Sequence, residues 1–255
     1  MKTSNIVFIL FGVPLLILLL ITIRQVIEIA ATTKGISYTQ LPYARSLPGA
    51  ELKILFLGDS TAVGTGAANN RLSTAGYFAS DFPLAEIINI SRNGKRIHEL
   101  LEEFDTQTFG KYDLVVIQIG GNDILKFTPF QNIEIDLAAV IDRAKTVGRH
   151  VVVLHSGNVG TAPIFHWPFD RIMTERTRKV REIYIGQAKA HGAVYVDLFS
   201  ERNEDFFLKD IKRYYSPDYL HPSGDGYRWW YQRIRQTLDQ SGVVLKQNYK
   251  VQNGI

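Results

Sequence analysis

From residue 52 onward the chain alternates short apolar runs with longer stretches in which apolar positions recur every three to four residues. The runs at 52–57, 86–90, 113–119, 150–154 and 193–198 are rich in Val, Ile and Leu and are bounded by turn-forming residues, which predicts buried strands. Helical spacing predicts helices near 76–80, 97–104, 134–147, 169–190 and 225–238. Strands alternating with helices predict a five-stranded parallel sheet covered on both faces, a three-layer α/β/α sandwich, because parallel crossovers are right-handed and need covering helices.

A strand order of 2-1-3-4-5, the flavodoxin-like arrangement, is the economical choice. It puts a topological switch beside the first strand, where open α/β sheets bind ligands. Residues that do chemistry are therefore expected just after the C-terminal ends of strands.

The N-terminus breaks the pattern. Residues 6–23 carry no charge and are rich in Leu and Ile, with Lys2 before them and Arg24 after. At 1.5 Å per residue the run reaches about 27 Å, close to the thickness of a bilayer core, and predicts an N-terminal transmembrane helix over residues 1–24. A cleaved signal would have a shorter apolar region ending at small residues, and the sequence around Ile29-Ala30-Ala31 fits that poorly. Lys2 on one side and Arg24 and Lys34 on the other nearly balance the orientation rule. Since a lone apolar segment at the extreme N-terminus commonly acts as an export signal, the folded domain is expected outside the cytoplasm. Gly35, Pro42, Pro48 and Gly49 mark 25–50 as a linker. That leaves 51–242 as one folded domain and 243–255 as a tail.

Composition narrows the chemistry. With 255 residues, 45% of them hydrophobic and 21% charged, one α/β domain buries an ample core. The lack of cysteine excludes disulfides, a thiol nucleophile and thiolate zinc sites. The net charge of +4 comes from 29 basic and 25 acidic residues in short mixed clusters such as Glu175-Arg176-Thr177-Arg178-Lys179. Such clusters read as solvated helix faces, not as the focused basic surface that a nucleic-acid partner needs. His98, His150 and His191 have no spacing suited to a metal, and nothing calls for a cofactor.

Four unusual segments follow strands directly: Gly58-Asp59-Ser60, Asn93-Gly94, Gly120-Gly121-Asn122-Asp123 and His155-Ser156-Gly157-Asn158. A fifth, Asp218-Tyr219-Leu220-His221, comes about 20 residues after the last strand, and the topology converges all five on one rim. Ser60 alone reads equally as nucleophile or as helix cap. Asp218 changes the balance, because an aspartate three residues before a histidine can bond Nδ1 and leave Nε2 facing outward as the base that serine needs. Gly94 and Asn122 suit a developing oxyanion as donors, although both residue types are also ordinary turn formers. Asp59 and Asp123 are expected to fix turns, while His155 is a candidate pocket residue. Aromatic residues at 127–130, 164–169 and 206–207 wall a pocket or simply pack. Trp229-Trp230-Tyr231 reads as core or as a surface stripe.

Together these residues resemble the SGNH (GDSL-type) hydrolase family over about residues 52–240. Gly58 to Gly64 looks like its first block, Asn89 to Gly94 its second, Gly120 to Asp123 its third and Asp218 to His221 its last. The second block lacks a further glycine that the family often has. The resemblance implies a serine esterase or lipase acting on a small-molecule or lipid ester through an acyl-enzyme, without a cofactor. It implies that Ser60 attacks the acyl carbonyl, His221 takes and returns the proton, and Asp218 orients His221. Ser60 N–H, Gly94 N–H and Asn122 then form the oxyanion hole. An O-acyltransferase using the same triad and an inactive membrane-anchored binding domain remain as alternatives. A nucleotide-binding module does not, because Gly64 to Asn69 lacks the third glycine of a dinucleotide turn and no Gly-Lys-Ser/Thr follows.

Overall fold

The computed structural model describes residues 11–33 and 40–245. The strands β1 (Leu52–Gly58), β2 (Ala85–Asn89), β3 (Tyr112–Gln118), β4 (Gly148–Leu154) and β5 (Val194–Tyr195) form a parallel sheet in the order β2-β1-β3-β4-β5. This is the expected order. The helices are α1 (Val13–Thr33), α2 (Ser60–Val63), α3 (Thr74–Asp81), α4 (His98–Thr106) and α5 (Gly121–Leu125). They continue with α6 (Phe130–Val147), α7 (Phe169–His191), α8 (Ile211–Tyr214) and α9 (Gly224–Gln240).

Side chains alternate across the sheet, so each strand feeds two cores. Ile54, Phe56, Leu114 and Val116 pack with Phe78 of α3 and with Tyr227, Trp230 and Ile234 of α9. Leu55, Leu57, Val115 and Ile117 face the other way, toward Leu100 of α4, Leu137 and Ile141 of α6, and Val180 and Tyr184 of α7. Burial on both faces is why the strands read as continuous apolar runs. The register aligns Gly58 with Gln118 and Gln118 with Leu154, so three strands end in one row.

Two boundaries differ from expectation for local reasons. The ladder of β5 stops early, with Val196 N–H donating to the Val153 carbonyl at 3.0 Å. Asp197 then turns its carboxylate to Arg181 and to the Phe199 N–H, which takes the chain off the sheet. Helix α6 begins at Phe130, before the predicted 134, because Pro129 has the φ of −53° suited to a helix start and no N–H to leave unpaired.

The stretch expected as a linker is structured at both ends. Helix α1 runs past residue 24 through Thr33, since beyond Pro14 in its first turn no Gly or Pro occurs before Gly35. Further on, Arg45 forms an antiparallel bridge with Ile87, and its guanidinium donates to the Ala79, Phe82 and Ala85 carbonyls. It covers the exposed edge of β2. Residues 1–10 of the predicted anchor lie outside the described residues, as do 34–39 of the linker and 246–255 of the tail. Among the described residues no helix is long and apolar enough to cross a membrane. The described part of the uncharged run, residues 11–23, amounts to roughly 20 Å of helix, short of a bilayer core of about 30 Å.

Candidate active site

Ser60 opens α2 immediately beyond β1, and Asp59 caps that helix by accepting from the Thr61 N–H at 2.9 Å and the Thr61 hydroxyl at 2.7 Å. Burial raises the Asp59 carboxyl above its ordinary value despite these bonds. The short helix is pinned from two sides. Asn89 Nδ2 donates to the Ala62 carbonyl at 3.0 Å, and the Tyr227 hydroxyl donates to the Thr65 carbonyl at 2.7 Å. Ser60 therefore stands in a fixed place at the end of the first strand, only 9% exposed.

The segment 216–221, beyond β5 in the chain, reaches the same point. Ser60 Oγ lies 2.9 Å from His221 Nε2, and His221 Nδ1 lies 2.6 Å from Asp218 Oδ2. Asp218 is 1% exposed. Burial pushes its carboxyl up, but the hydrogen bonds from His221 and Ser216 prevail and hold it at about 2. An ionised acceptor on Nδ1 requires the proton there, so Nε2 carries the lone pair and accepts from the serine hydroxyl. Serine, base and orienting carboxylate are thus aligned as nucleophilic acyl transfer requires.

Gly94 and Asn122 line the same cavity as Ser60 and His221. Gly94 lies in an exposed turn, and its φ of +78° calls for glycine. Asn122 belongs to α5 and commits one N–H of its amide to the Lys95 carbonyl at 3.1 Å, which ties the third block to the second and leaves its other N–H for the cavity. Asp123 accepts from the Ile97 N–H at 3.1 Å and fixes that junction, as expected of a turn residue.

The cavity has a volume of about 400 Å³. Its apolar wall includes Leu198, Phe207, Leu220, Trp229 and Trp230, while Ser156, Gly157 and Asn158 border it beyond β4. Of the three predicted aromatic segments only the last contributes, through Phe207. Phe127 and Phe130 instead stack under Arg176, with centroid distances of 4.9 and 4.6 Å. His155 is not in the wall: it is buried beneath it, with Nε2 2.9 Å from the Tyr195 hydroxyl, and burial lowers it to about 4. His191 pairs with Asp142 at a helix end. Trp230 and Tyr231 are buried in one core, as the core reading of this segment expects, with Trp229 packed against it, and both tryptophans also line the cavity.

A sequence model of the GDSL-like Lipase/Acylhydrolase family matches residues 56–229, and the chain belongs to that family. Among solved structures it is similar to TesA, with TM-score 0.57 and 19% identity over 74% of this chain and 98% of that one. A member of the lipolytic protein G-D-S-L family from Veillonella parvula DSM 2008 gives TM-score 0.58 at 18% identity, covering 74% of this chain and 99% of that one. Axe2, an acetylxylan esterase from Geobacillus stearothermophilus, gives TM-score 0.54 at 21% identity, covering 76% and 96%. At these identities the likenesses carry the fold alone. No curated protein matches the chain.

Proposed function

We propose that the chain hydrolyses carboxylic esters through an acyl-enzyme formed on Ser60. The observation that carries this reading is the 2.9 Å contact of Ser60 Oγ with His221 Nε2, backed by Asp218 on Nδ1. His221 accepts the hydroxyl proton as Ser60 Oγ attacks the acyl carbon, then returns it to the leaving alkoxide. Water repeats the sequence and releases the acid. Ser60 N–H, Gly94 N–H and the free N–H of Asn122 are assigned to the oxyanion. A fluorophosphonate probe is expected to label Ser60 in the folded protein and not to label Ser60→Ala. An unlabelled wild-type protein overturns the reading.

The cavity volume supports an acyl chain longer than acetyl. At about 30 Å³ per water-sized group it holds roughly a dozen heavy atoms against an aromatic wall. Across p-nitrophenyl esters from acetyl to palmitoyl, kcat/KM is expected to rise by roughly tenfold or more up to medium chain lengths, since each buried methylene contributes about 0.8 kcal/mol. A maximum at acetyl contradicts this assignment.

We also propose that residues 6–23 tether the enzyme to a membrane, with the catalytic part outside the cytoplasm. The lack of charge in that run supports it, as do Leu15, Leu16, Leu19 and Leu20, each more than half exposed. The full chain is expected to sediment with membranes, and a form beginning near Ser37 to stay in solution with its esterase activity. Full-length protein wholly in the soluble fraction refutes the tether.

A further inference from the structure

Gly94 is exposed, and nothing lies within 4 Å of the position that a Cβ would occupy there. Its carbonyl accepts from Lys126 Nζ at 3.0 Å, and its chain neighbours supply the remaining anchors that set the direction of its N–H. On one side Asn93 Oδ1 accepts from the Thr65 hydroxyl at 2.7 Å, tying the turn to the loop after Ser60. On the other side stands Lys95, 2% exposed, whose ammonium is in contact with Glu103 Oε1 on α4. Glu103 is itself 5% exposed, and Arg92, two residues before Gly94, reaches the same oxygen at 3.5 Å.

A lysine this deeply buried is uncommon, because desolvation opposes its charge. Burial does lower its basicity, and the bond to Glu103 restores part of it. Such a pair is a poor device for stability alone, since well-packed apolar residues of similar volume do as well or better. Its geometric consequence is direct. The Lys95 carbonyl is the acceptor that holds the Asn122 amide at 3.1 Å, and its backbone N–H belongs to the residue that follows Gly94. One anchored residue thus fixes both candidate oxyanion donors that lie outside the serine loop.

We infer that the buried Lys95–Glu103 ion pair is a positioning device for the oxyanion hole, locking the Gly94 turn and the Asn122 amide in one arrangement. The inference rests on the ester-hydrolase reading. Lys95 and Glu103 are positioning residues: neither lines the cavity, and both act through backbone and amide groups that do. A displacement of the order of 1 Å in such donors can cost about 10²-fold in rate.

The test uses steady-state kinetics on a p-nitrophenyl ester together with thermal melts. The double variant Lys95→Met/Glu103→Leu removes both charges and leaves neither unpaired. It is expected to fold, with kcat lowered roughly 10- to 100-fold and KM changed less than about threefold. A folded double variant with wild-type kcat overturns the inference and reduces the pair to packing. If the double variant does not fold, the milder Glu103→Asp decides, because it keeps the charge and shortens the arm by one methylene. In Glu103→Asp a fall in kcat of threefold or more at unchanged KM supports positioning, and a lower melting temperature with wild-type kcat overturns it. Wild-type protein that neither turns over the ester nor takes a fluorophosphonate on Ser60 sinks the hydrolase reading and this inference with it. Active wild type with equally active variants sinks only this inference.

Discussion

The turn that carries Asp218 and His221 and the turn that carries Gly94 meet at one cavity but are held in opposite ways. Asp218 accepts from Ser216 Oγ at 2.5 Å, from the Leu220 and His221 N–H groups at 2.8 Å each, and from His221 Nδ1 at 2.6 Å. That saturation keeps Tyr219 in the left-handed region at φ 57°, where a bulky residue is strained. At Gly94 no atom lies within 4 Å of the position of a Cβ; its carbonyl accepts from Lys126 Nζ at 3.0 Å, and its neighbours Asn93 and Lys95 reach outward to Thr65 and Glu103. On the proposed mechanism the contrast follows from what each turn has to fix. A base must keep both ring nitrogens on named partners through proton transfer, so its bonds are local. A backbone donor must leave space for the substrate oxygen, so its anchors sit to the side.

Breaking the saturated turn is expected to have the largest effect. On the proposed mechanism Asp218→Asn replaces the ionised acceptor that sets the tautomer of His221 with an amide that can donate to Nδ1, and kcat should fall by about 10⁴-fold. It also alters acid stability with a defined sign. The Asp218 carboxyl titrates at about 2 when folded, below the value of 3.8 for free aspartate. Its ionisation therefore contributes about 2 kcal/mol of stability at pH above roughly 4, lost as pH falls through about 2. The melting-temperature gap between wild type and Asp218→Asn should narrow from pH 6 to pH 2, and a constant gap contradicts the assignment. Asp59 and Asp123, whose folded values are raised by burial, act in the opposite sense but are common to both proteins.

Asn122→Ala comes next. It removes a donor that matters only once negative charge appears on the substrate oxygen, so kcat should fall roughly 10²- to 10³-fold with little change in KM. Probe labelling of Ser60 should slow but persist. Wild-type kcat in this variant takes Asn122 out of the oxyanion hole. Gly66→Ala tests the packed turn from outside. Gly66 sits at φ +97°, and an added Cβ would lie 2.6 Å from the Pro222 carbonyl oxygen, 2.8 Å from His221 Cβ and 2.9 Å from Ser216 Cβ. Backbone on one side must move, and a shift of His221 relative to Ser60 should lower kcat by about 10²-fold along with the melting temperature. A fully active Gly66→Ala shows that the turn is less rigid than its bonds imply.

Much of this site was legible because strand ends are. The apolar runs located β1 to β4, the economical strand order is the observed one, the residue types at the strand ends marked Ser60, Gly94 and Asn122 as candidates, and the spacing of Asp218 and His221 marked the last segment. What escaped the sequence depends on packing across long separations. Asp197 ends β5 by turning to Arg181 on α7, and no periodicity marks that. Trp229 and Trp230 enter the cavity wall because α9 lies at its edge, a matter of helix placement. Nothing in the sequence sets Lys95 apart, and only the placement of α4 brings Glu103 against its ammonium. Buried ion pairs are hard to read for this reason: the partners share neither a period nor a motif.

The smallest expected effect sharpens the comparison most. Gly94 and Gly66 both have positive φ, so alanine carries a similar backbone strain at each, of about 1 kcal/mol. Only at Gly66 is there a collision as well. Alanine at 94 retains the N–H assigned to the oxyanion, meets no atom within 4 Å, and leaves the Thr65–Asn93 and Lys95–Glu103 anchors in place. Gly94→Ala should therefore lower stability by about 1 kcal/mol, reduce kcat less than about tenfold and leave KM unchanged. Since both sites have positive φ and only Gly66 has the collision, the ratio of the two kcat losses reads what the packing around His221 adds. If Gly94→Ala loses as much kcat as Gly66→Ala, the φ of the donor turn matters more than its lateral anchors. The rigidity of the site would then reside in that backbone angle and not in the ion pair beside it.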